Sequence, residues 1–311
     1  MKEMSFDVAL AVVRFPGEEH YRTFAAPTFD GAHLCFDGLE ISTWLNRKFD
    51  SMPVAMGSTD RNSYCDEVAR VVGTLRERGG KTVICRQICG SFSRFEPFEM
   101  ATEYFAAFPD MFCFLFFHPS TGWWMGASPE LLLEIDDNDT GHTRALAGTR
   151  RTDDTSEWSA KNVVEHNIVV DDICRRAAVA GYGYSAHSAE TGTLTYGKIE
   201  HLCTPISIER AGGVDMHEII GAIHPTAAVG GYPVATAIEE IDRTESFPRY
   251  FYGGTLVTPR LAYVVLRCVH FDSQRWCVYT GSGITADSDP ADEWGETQAK
   301  AAPLLDILKK Y

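Results

Sequence analysis

Short segments rich in Val, Ile, Phe, Tyr and Leu alternate along this chain with segments whose apolar residues recur about every 3.6 residues. The first pattern is typical of β-strands and the second of amphipathic helices. Strands are predicted at residues 7–15, 81–88, 112–118, 131–135, 261–271 and 276–281, and helices at 62–78, 97–108, 160–180, 214–223, 233–243 and 290–309. Polar stretches at 136–144 and 150–158 are typical of a hairpin loop and an exposed connection. The alternation predicts a mixed α+β fold without long linkers or repeats.

The charge balance of the chain excludes several classes of partner. Its 311 residues include 28 Lys and Arg against 43 Asp and Glu, a formal net charge of −15. Binding to nucleic acid or to an anionic membrane begins with a basic face, so we expect neither as the main partner. The apolar runs are shorter than the roughly 18 residues that a membrane helix needs. The apolar stretch at 8–13 also lacks the cleavage region of a secretory signal.

The cysteines indicate a compartment. There are nine, without a Cys-x-x-Cys pair, and most lie in apolar runs, as Cys113 does in MFCFLFF. Such positions suit buried free thiols better than a disulfide framework or a zinc site. We therefore expect a protein of the reducing cytoplasm.

The last predicted helix has a readable start and a charged face. Asp289 is a good N-cap, and Pro290 suits the first helical position. Glu293, Glu296 and Lys300 then follow at i, i+3 and i+7, along one side of the helix. Two interpretations remain open: a solvated stripe with a surface ion pair, or carboxylates presented to a metal ion.

A second carboxylate lies on another predicted helix, where Glu165 and His166 stand beside an apolar face. Glutamates from two distant helices, such as Glu165 and Glu296, could together hold Mg²⁺, which takes oxygen ligands and shares itself with anionic substrates. By this route an acidic protein can bind an anion.

Three glycine-containing segments, at 145–151, 224–231 and 279–284, are typical of turns. Closely spaced glycines let backbone N–H groups approach an anion, but none of the three is a phosphate-binding P-loop or a dinucleotide-binding motif. His224, in the second segment, would ordinarily be a structural histidine.

Nine motifs in a fixed order connect these features. They are residues 81–86 (KTVICR), 126–132 (GASPELL), 146–150 (LAGTR), 165–166 (EH), 201–204 (HLCT), 224–231 (HPTAAVGG), 249–254 (RYFYGG), 267–268 (RC) and 281–300 (GSGITADSDPADEWGETQAK). The order resembles that of the chorismate-utilising enzymes, which include isochorismate synthase, salicylate synthase, anthranilate synthase component I and aminodeoxychorismate synthase component I. The resemblance covers about residues 60–305 and implies a single chorismate-binding catalytic domain over 1–311. Residues 1–60 match loosely, which predicts a shortened N-terminal part.

The resemblance implies a fold of two antiparallel β-sheets packed between helices, with Mg²⁺ at the mouth of an active-site cleft. Glu165 and Glu296 are similar to the metal ligands of the family, with Glu293 supporting the metal through water. Asn162 stands where relatives carry an acidic residue, so weaker Mg²⁺ binding is expected. The groups expected to hold chorismate are Tyr252, Arg267, Lys300 and the backbone at Gly281 and Gly283 for its two carboxylates, and Thr149 and His224 for its ring.

The motifs also indicate which reaction to expect. Water-using members of the family carry a lysine at the position of Lys81, whereas anthranilate synthases typically carry a glutamine. Lys81 is therefore the expected general base on water, and Glu130 the general acid that protonates the departing hydroxyl. Aminodeoxychorismate synthases usually place a nucleophilic lysine where this chain has Ala147. Both ammonia-using branches are disfavoured.

The predicted function is thus that of a Mg²⁺-dependent isochorismate synthase, closest to those of menaquinone synthesis, acting without an obligatory glutaminase partner. Three alternatives stay open: a salicylate synthase that goes on to eliminate pyruvate, an anthranilate synthase component I, and an inactive chorismate-binding homologue.

Overall fold

The computed structural model describes residues 9–179, 183–196 and 199–311. The strands in these residues are β1 (Leu10–Arg14), β2 (Arg22–Ala25), β3 (Thr28–Phe29), β4 (His33–Phe36), β5 (Leu39–Ser42), β6 (Lys81–Ser91), β7 (Phe112–His118), β8 (Gly122–Ser128), β9 (Leu131–Ile135), β10 (Gly141–Arg151), β11 (Ser185–Ser188), β12 (Gly192–Tyr196), β13 (Ile199–Glu209), β14 (Gly231–Tyr232), β15 (Thr255–Val257), β16 (Leu261–Val264), β17 (Cys268–Phe271) and β18 (Arg275–Ile284). The α-helices are α1 (Arg61–Arg78), α2 (Pro97–Ala106), α3 (Ala160–Val179), α4 (Met216–Ile223), α5 (Val234–Thr244) and α6 (Pro290–Leu308).

The strands form two sheets, in which every strand pair is antiparallel. Sheet A has the order β14-β6-β18-β17-β8-β7-β1-β2, and sheet B has the order β11-β13-β10-β9-β16-β15-β5-β4-β3, with β12 also paired to β13. The predicted fold class, two antiparallel sheets with helices around them, is confirmed.

An aromatic core joins the two sheets. Phe112, Phe116 and Trp124 of sheet A are buried in one cluster with Leu256 and Tyr263 of sheet B. The rings of Phe112 and Tyr263 stack with their centroids 4.4 Å apart. Each fully buried side chain of this size contributes about 1.5–3 kcal/mol of hydrophobic stabilisation. This core fixes the two sheets relative to each other.

The helices cover the outer surfaces of the sheets. Helices α2 and α6 pack on sheet A, where Tyr104 and Leu304 share a core with Val278. Helices α1, α3 and α4 contribute to a second core that includes Ala145 and Ile206 of sheet B. The predicted start of α6 is confirmed, because the Asp289 carboxylate accepts hydrogen bonds from the N–H groups of residues 291 and 292.

One predicted strand was wrong. Residues 261–271 read as a single apolar strand, but β16 belongs to sheet B and β17 to sheet A, so the chain changes sheets between them. Arg267 lies at this corner with φ of +49°, a left-handed conformation that costs a non-glycine residue energy. A periodicity argument sees only the continuous apolar run and misses the corner.

Other boundaries differ by a few residues. The hairpin loop predicted at 136–144 spans only 136–140, because β10 begins at Gly141. The connection predicted at 150–158 begins after Arg151, the last residue of β10. Residues 7 and 8 of the first predicted strand, and residue 180 of the predicted helix 160–180, lie outside the described residues.

The nine cysteines are free in the structure, as the sequence predicted. Cys85, Cys113, Cys268 and Cys277 are buried, whereas Cys35 is exposed. Among the described helices, none combines the length and the apolar character that crossing a membrane requires.

Candidate active site

One cavity is lined by β6 and β18 of sheet A and by β10 and β13 of sheet B. Nine of the predicted site residues line it. Six of these nine come from widely separated parts of the sequence: Lys81, Glu130, Thr149, Glu165, Tyr252 and Arg267. Gly281, Gly283 and Lys300 complete the set. The structure thus brings together residues that the chain separates by more than 200 positions.

An ion pair lies at the wall of this cavity. Nζ of Lys81, at the start of β6, lies 3.0 Å from Oε1 of Glu165 on α3, and the side chains are 1% and 7% exposed. Burial alone would raise the pKa of Glu165, but the charges of Lys81 and Lys161 outweigh it and lower the pKa to about 2. The Glu165 carboxylate is therefore ionised throughout the physiological range.

Glycine at position 283 makes this ion pair possible. In β18, Gly283 lies opposite Val83 of β6. A Cβ atom at position 283 would lie 2.2 Å from Oε1 of Glu165 and 2.6 Å from Cε of Lys81. Both distances are far below van der Waals contact, so no other residue type fits here without moving the pair.

Glu130 has the environment of a protonated carboxyl group. It is 6% exposed, and its Oε1 accepts a hydrogen bond of 3.1 Å from the Thr226 hydroxyl. Burial raises its pKa to about 7, against the smaller opposing effects of Thr226 and Lys81. A carboxyl group of this pKa can donate a proton near neutral pH, which is the property that a general acid needs.

An arginine and a histidine face each other across the cavity wall. Nη2 of Arg267 lies 3.3 Å from Nε2 of His201, and Nδ1 of His201 lies 3.2 Å from the carbonyl oxygen of Gly148 and 3.0 Å from the Thr149 hydroxyl. A carbonyl only accepts and a guanidinium only donates, so His201 is neutral and carries its proton on Nδ1. Burial and the Arg267 charge lower the pKa of His201 well below its usual value.

Arg267 has no carboxylate partner among the described ion pairs. Lys300, by contrast, donates to Oε1 of Glu296 at 2.6 Å and to the carbonyl oxygen of Gly281 at 3.1 Å. The Tyr252 ring stacks on Tyr279 with the centroids 5.6 Å apart, and burial raises the pKa of Tyr252. The cavity therefore combines an uncompensated cation with neutral hydrogen-bond donors, which suits a small anion.

The three predicted metal-site carboxylates meet where α3 faces α6. Glu165 lines the cavity, while Glu293 and Glu296 line an adjoining pocket. Nζ of Lys161 lies 3.3 Å from Oε2 of Glu165 and 3.0 Å from Oε1 of Glu293. Burial and the nearby Glu296 charge raise the pKa of Glu293.

This donor set is chemically suited to Mg²⁺, because it offers carboxylate oxygens next to an anion cavity. As the side chains lie, lysines neutralise the carboxylates, and no group of three or more His, Cys, Asp or Glu within the described ranges is arranged to hold a metal ion. Glu165 pairs with Lys81 and Lys161, Glu293 with Lys161, and Glu296 with Lys300. The ion pair of Glu296 with Lys300 is not the surface pair of the alternative interpretation, since the two side chains are 15% and 17% exposed.

His224 does not reach the cavity, and its predicted role at the substrate ring needs correction. It lines a different pocket together with His217 and Thr255, and its ring contacts Trp44 edge-on at 6.3 Å. Burial lowers its pKa to about 4, so it is a neutral structural histidine. In the segment 224–231, it is Thr226 that contacts the site, through its hydrogen bond to Glu130.

Sequence reasoning gave no role to Lys161, His201 and Thr226, which contact predicted site residues. His201 lies in the HLCT motif and Thr226 in the HPTAAVGG motif, so the motifs marked their positions. Lys161 stands four residues before Glu165, a spacing that already predicts an ion pair on one helix. Its contact with Glu293 joins two helices and is visible only in the folded chain.

The two-sheet fold and this cavity define a protein with a buried cleft for a small anion. The chain belongs to the chorismate binding enzyme family, whose model matches residues 47–306. Curated relatives match part of it. Isochorismate synthase MenF from Pasteurella multocida is 32% identical over 204 residues, covering 60% of this chain and 47% of the relative.

Two further relatives carry different names. Salicylate biosynthesis isochorismate synthase from Pseudomonas aeruginosa is 29% identical over 275 residues, covering 80% of this chain and 55% of the relative. Anthranilate synthase component 1 from Neisseria meningitidis is 28% identical over 200 residues, covering 58% of this chain and 40% of the relative. The chain thus spans about half the length of the curated relatives it matches.

Solved structures share the fold along almost the whole chain. The menaquinone-specific isochorismate synthase MenF from Escherichia coli matches with a TM-score of 0.78 and 19% identity, covering 96% of this chain and 88% of that one. The putative 2,3-dihydroxybenzoate-specific isochorismate synthase DhbC from Bacillus anthracis matches with a TM-score of 0.74 and 23% identity. The match covers 97% of this chain and 84% of that one. Because fold alone does not define function, these matches establish the architecture.

Proposed function

We propose that this protein is a Mg²⁺-dependent isochorismate synthase, which converts chorismate to isochorismate for menaquinone biosynthesis. The observation that carries the proposal is that Lys81, Glu130 and Ala147 line one cavity. A lysine and a protonated carboxyl group are the base and acid that addition of water and loss of a hydroxyl require. The names of the relatives, several of them isochorismate synthases, support the same activity.

The cavity offers separate partners for the two carboxylates of chorismate. Arg267 presents a planar fork that matches a carboxylate with two hydrogen bonds. Lys300 and the backbone of Gly281 and Gly283 provide a second anion-binding region, and the Tyr252 hydroxyl can donate as well. Thr149 borders the space left for the ring.

The proposed reaction needs one proton acceptor and one proton donor. Lys81 takes a proton from water as the water oxygen bonds to carbon 2 of the ring. The ring double bonds shift, and the carbon 4 hydroxyl departs as water after receiving the proton of Glu130. Atoms balance, since one water enters and one leaves. Thr226 holds one oxygen of Glu130, which leaves the other free for donation.

Glu165 and Glu296 would hold the metal, with Glu293 supporting it through water. A Mg²⁺ ion held there would supply positive charge that offsets the charge developing as the double bonds shift. Asn162 lines the same adjoining pocket without contributing a charge. We expect a metal site of modest affinity.

The nucleophile is proposed to be water rather than ammonia. Ala147 lines the cavity, so a lysine at this position would face the substrate, and this chain has none there. Lys81 also stands where a glutamine is typical of ammonia-using relatives. The nine free cysteines support a reducing cytoplasm as the site of action.

Incubation of the purified protein with chorismate and Mg²⁺, followed by chromatography, tests the activity. Isochorismate alone supports the proposal. Salicylate with pyruvate would identify a salicylate synthase, anthranilate formed with added ammonia an anthranilate synthase, and unchanged chorismate an inactive homologue. Restored menaquinone in a bacterial strain that lacks its own menaquinone-specific isochorismate synthase would support the pathway.

A further inference from the structure

The ammonium group of Lys161 lies between carboxylates that come from two helices. It is 3.3 Å from Oε2 of Glu165, four residues along α3, and 3.0 Å from Oε1 of Glu293 on α6. The side chain of Lys161 is 19% exposed, whereas those of Glu165 and Glu293 are 7% and 3% exposed. Lys161 is thus the partly accessible member of an otherwise buried cluster.

We propose that Lys161 is a tethered cation that competes with Mg²⁺ for these carboxylates. The inference rests on the proposed function, which assigns Glu165 and Glu293 to the metal site. Lys161 contacts oxygens of both carboxylates at once, and its charge would strongly repel a divalent cation placed between them in this buried site. Mg²⁺ therefore binds only as Lys161 leaves.

The structure provides a place for Lys161 to go. Lys161 lines the pocket that adjoins the cavity, and the lining of this pocket includes the carboxylates of Asp154, Asp289 and Asp292. An outward turn of the long side chain would carry its charge from Glu165 and Glu293 toward solvent and these acids. Its flexible four-carbon stem permits this movement without a change in the helix.

The competition has two consequences. Without metal, Lys161 keeps Glu165 and Glu293 from repelling each other across the helix interface, since an unpaired buried carboxylate is costly. With metal, part of the binding energy is used to displace Lys161, so the apparent affinity of the wild-type protein is lower than that of its carboxylates alone.

Calorimetric titration of the full chain with MgCl₂ measures this directly. We expect Lys161→Met and Lys161→Gln to bind Mg²⁺ at least about tenfold more tightly than wild type, which corresponds to about 1.4 kcal/mol. Lys161→Arg, which keeps the charge, should bind like wild type. Lys309→Met removes an exposed lysine from the end of α6 and controls for the loss of one positive charge.

Thermal melting gives a second readout that does not depend on turnover. Without metal, both neutral variants should melt below wild type, and Mg²⁺ should raise their melting temperature more than it raises that of wild type. If neither neutral variant folds, a crystal structure of the wild-type protein with Mg²⁺ decides: Lys161 should have left both carboxylates.

Mg²⁺ affinity that is unchanged or weaker in both neutral variants overturns the inference. So does absence of Mg²⁺ binding in all variants, or a Mg²⁺-bound structure in which Lys161 still bridges Glu165 and Glu293. Product chromatography on the same wild-type preparation separates the two proposals: isochorismate formed with unchanged variant affinities refutes only the role of Lys161.

Discussion

Nζ of Lys81 lies 3.0 Å from Oε1 of Glu165, so the proposed base and a proposed metal ligand are partners in the structure. An ammonium group paired with a carboxylate cannot accept a proton, and base function needs the neutral amine. Glu165 therefore has two proposed partners, the base Lys81 and the metal ion. The proposed base and the proposed metal site are thus joined by one contact, and a change at either residue should affect both.

Removal of this lysine should abolish most of the turnover. We expect Lys81→Ala to lower kcat by about 10²–10⁴-fold, the usual contribution of general acid or base catalysis. Steady-state formation of isochorismate measures the loss, and thermal melting confirms that the variant is folded. Lys309→Met, a lysine change away from the cavity, should keep its rate. Near-normal turnover in Lys81→Ala would remove Lys81 from the mechanism.

Gly283 offers a test of the same contact from the opposite strand. The Cβ of Gly283→Ala would overlap Oε1 of Glu165 and Cε of Lys81, so at least one of them must move. Since a misplacement of about 1 Å can cost about 10²-fold in rate, we expect kcat to fall by about that factor. The matched control is Gly192→Ala in β12, where the added Cβ meets nothing within 4 Å.

A comparison of the turnover of Gly283→Ala with that of Gly192→Ala tests whether the Lys81–Glu165 contact matters. Turnover in Gly283→Ala close to that of Gly192→Ala would show that the Lys81–Glu165 geometry does not matter for the reaction.

The sequence predicted the long, regular elements of the fold and missed the short ones. Strand β6 begins at the predicted Lys81, and α6 ends within one residue of its predicted end, because long periodic patterns carry a strong signal. Strands β2 to β5 have two to four residues each, too few to establish a period. Strands β2, β3 and β4 pair with neighbouring strands of the chain, whereas β5 also pairs with the distant β15, a contact that no local pattern contains.

The candidate site followed from motif order rather than from any single pattern. Nine predicted residues line the cavity, although Glu165 or Lys300 alone would read as an ordinary helix-surface charge. His224 was misplaced because a motif marks a segment and does not say which of its side chains faces inward. The link from Lys161 to Glu293 depends on how α3 packs against α6, which the sequence does not state.

Glu130 should give the reaction a pH limit on the alkaline side. Its pKa of about 7 means that the proton-donating form is lost as the pH rises through neutrality. We expect kcat/KM to fall above about pH 7 and Glu130→Gln to lower turnover by about 10²–10⁴-fold. A rate–pH profile of the wild-type protein measures the limit. A profile that stays flat up to pH 9 would exclude Glu130 as the acid.

The same carboxyl group should also lower the stability of the protein as the pH rises, so Glu130→Gln should reduce turnover but increase stability above neutral pH. Its folded pKa of about 7 lies above the unfolded value of 4.5, so its favourable effect is complete below pH 4.5 and is lost as the pH rises to 7. The loss amounts to about 3 kcal/mol at 1.36 kcal/mol for each pH unit. Glu130→Gln keeps an acceptor for Thr226 and cannot ionise. Its melting temperature should exceed that of wild type at pH 8, with the difference shrinking toward pH 5; equal melting at both values would contradict the buried, raised pKa.

Arg267 should contribute to the affinity for chorismate without contributing to the stability of the folded protein. Its guanidinium faces the cavity without an ion-pair partner among the described residues, and burial lowers its pKa. Loss of a hydrogen bond to a charged group costs about 1.5–3 kcal/mol, so Arg267→Met should raise the KM for chorismate by about 10- to 100-fold. Arg267→Lys keeps the charge and loses the planar guanidinium group. Its KM should lie between that of the wild type and that of Arg267→Met.

Melting curves distinguish this role from a structural one. Arg267→Met removes a buried, uncompensated cation and leaves the residue at φ of +49° a non-glycine side chain, so the backbone cost is unchanged. We expect its melting temperature to equal or exceed that of wild type. The exposed Arg260, 3.6 Å from Asp139, supplies the control Arg260→Met, which should leave KM unchanged. A large loss of stability with an unchanged KM would make Arg267 a structural residue of the corner between β16 and β17, and its place in carboxylate binding would be refuted.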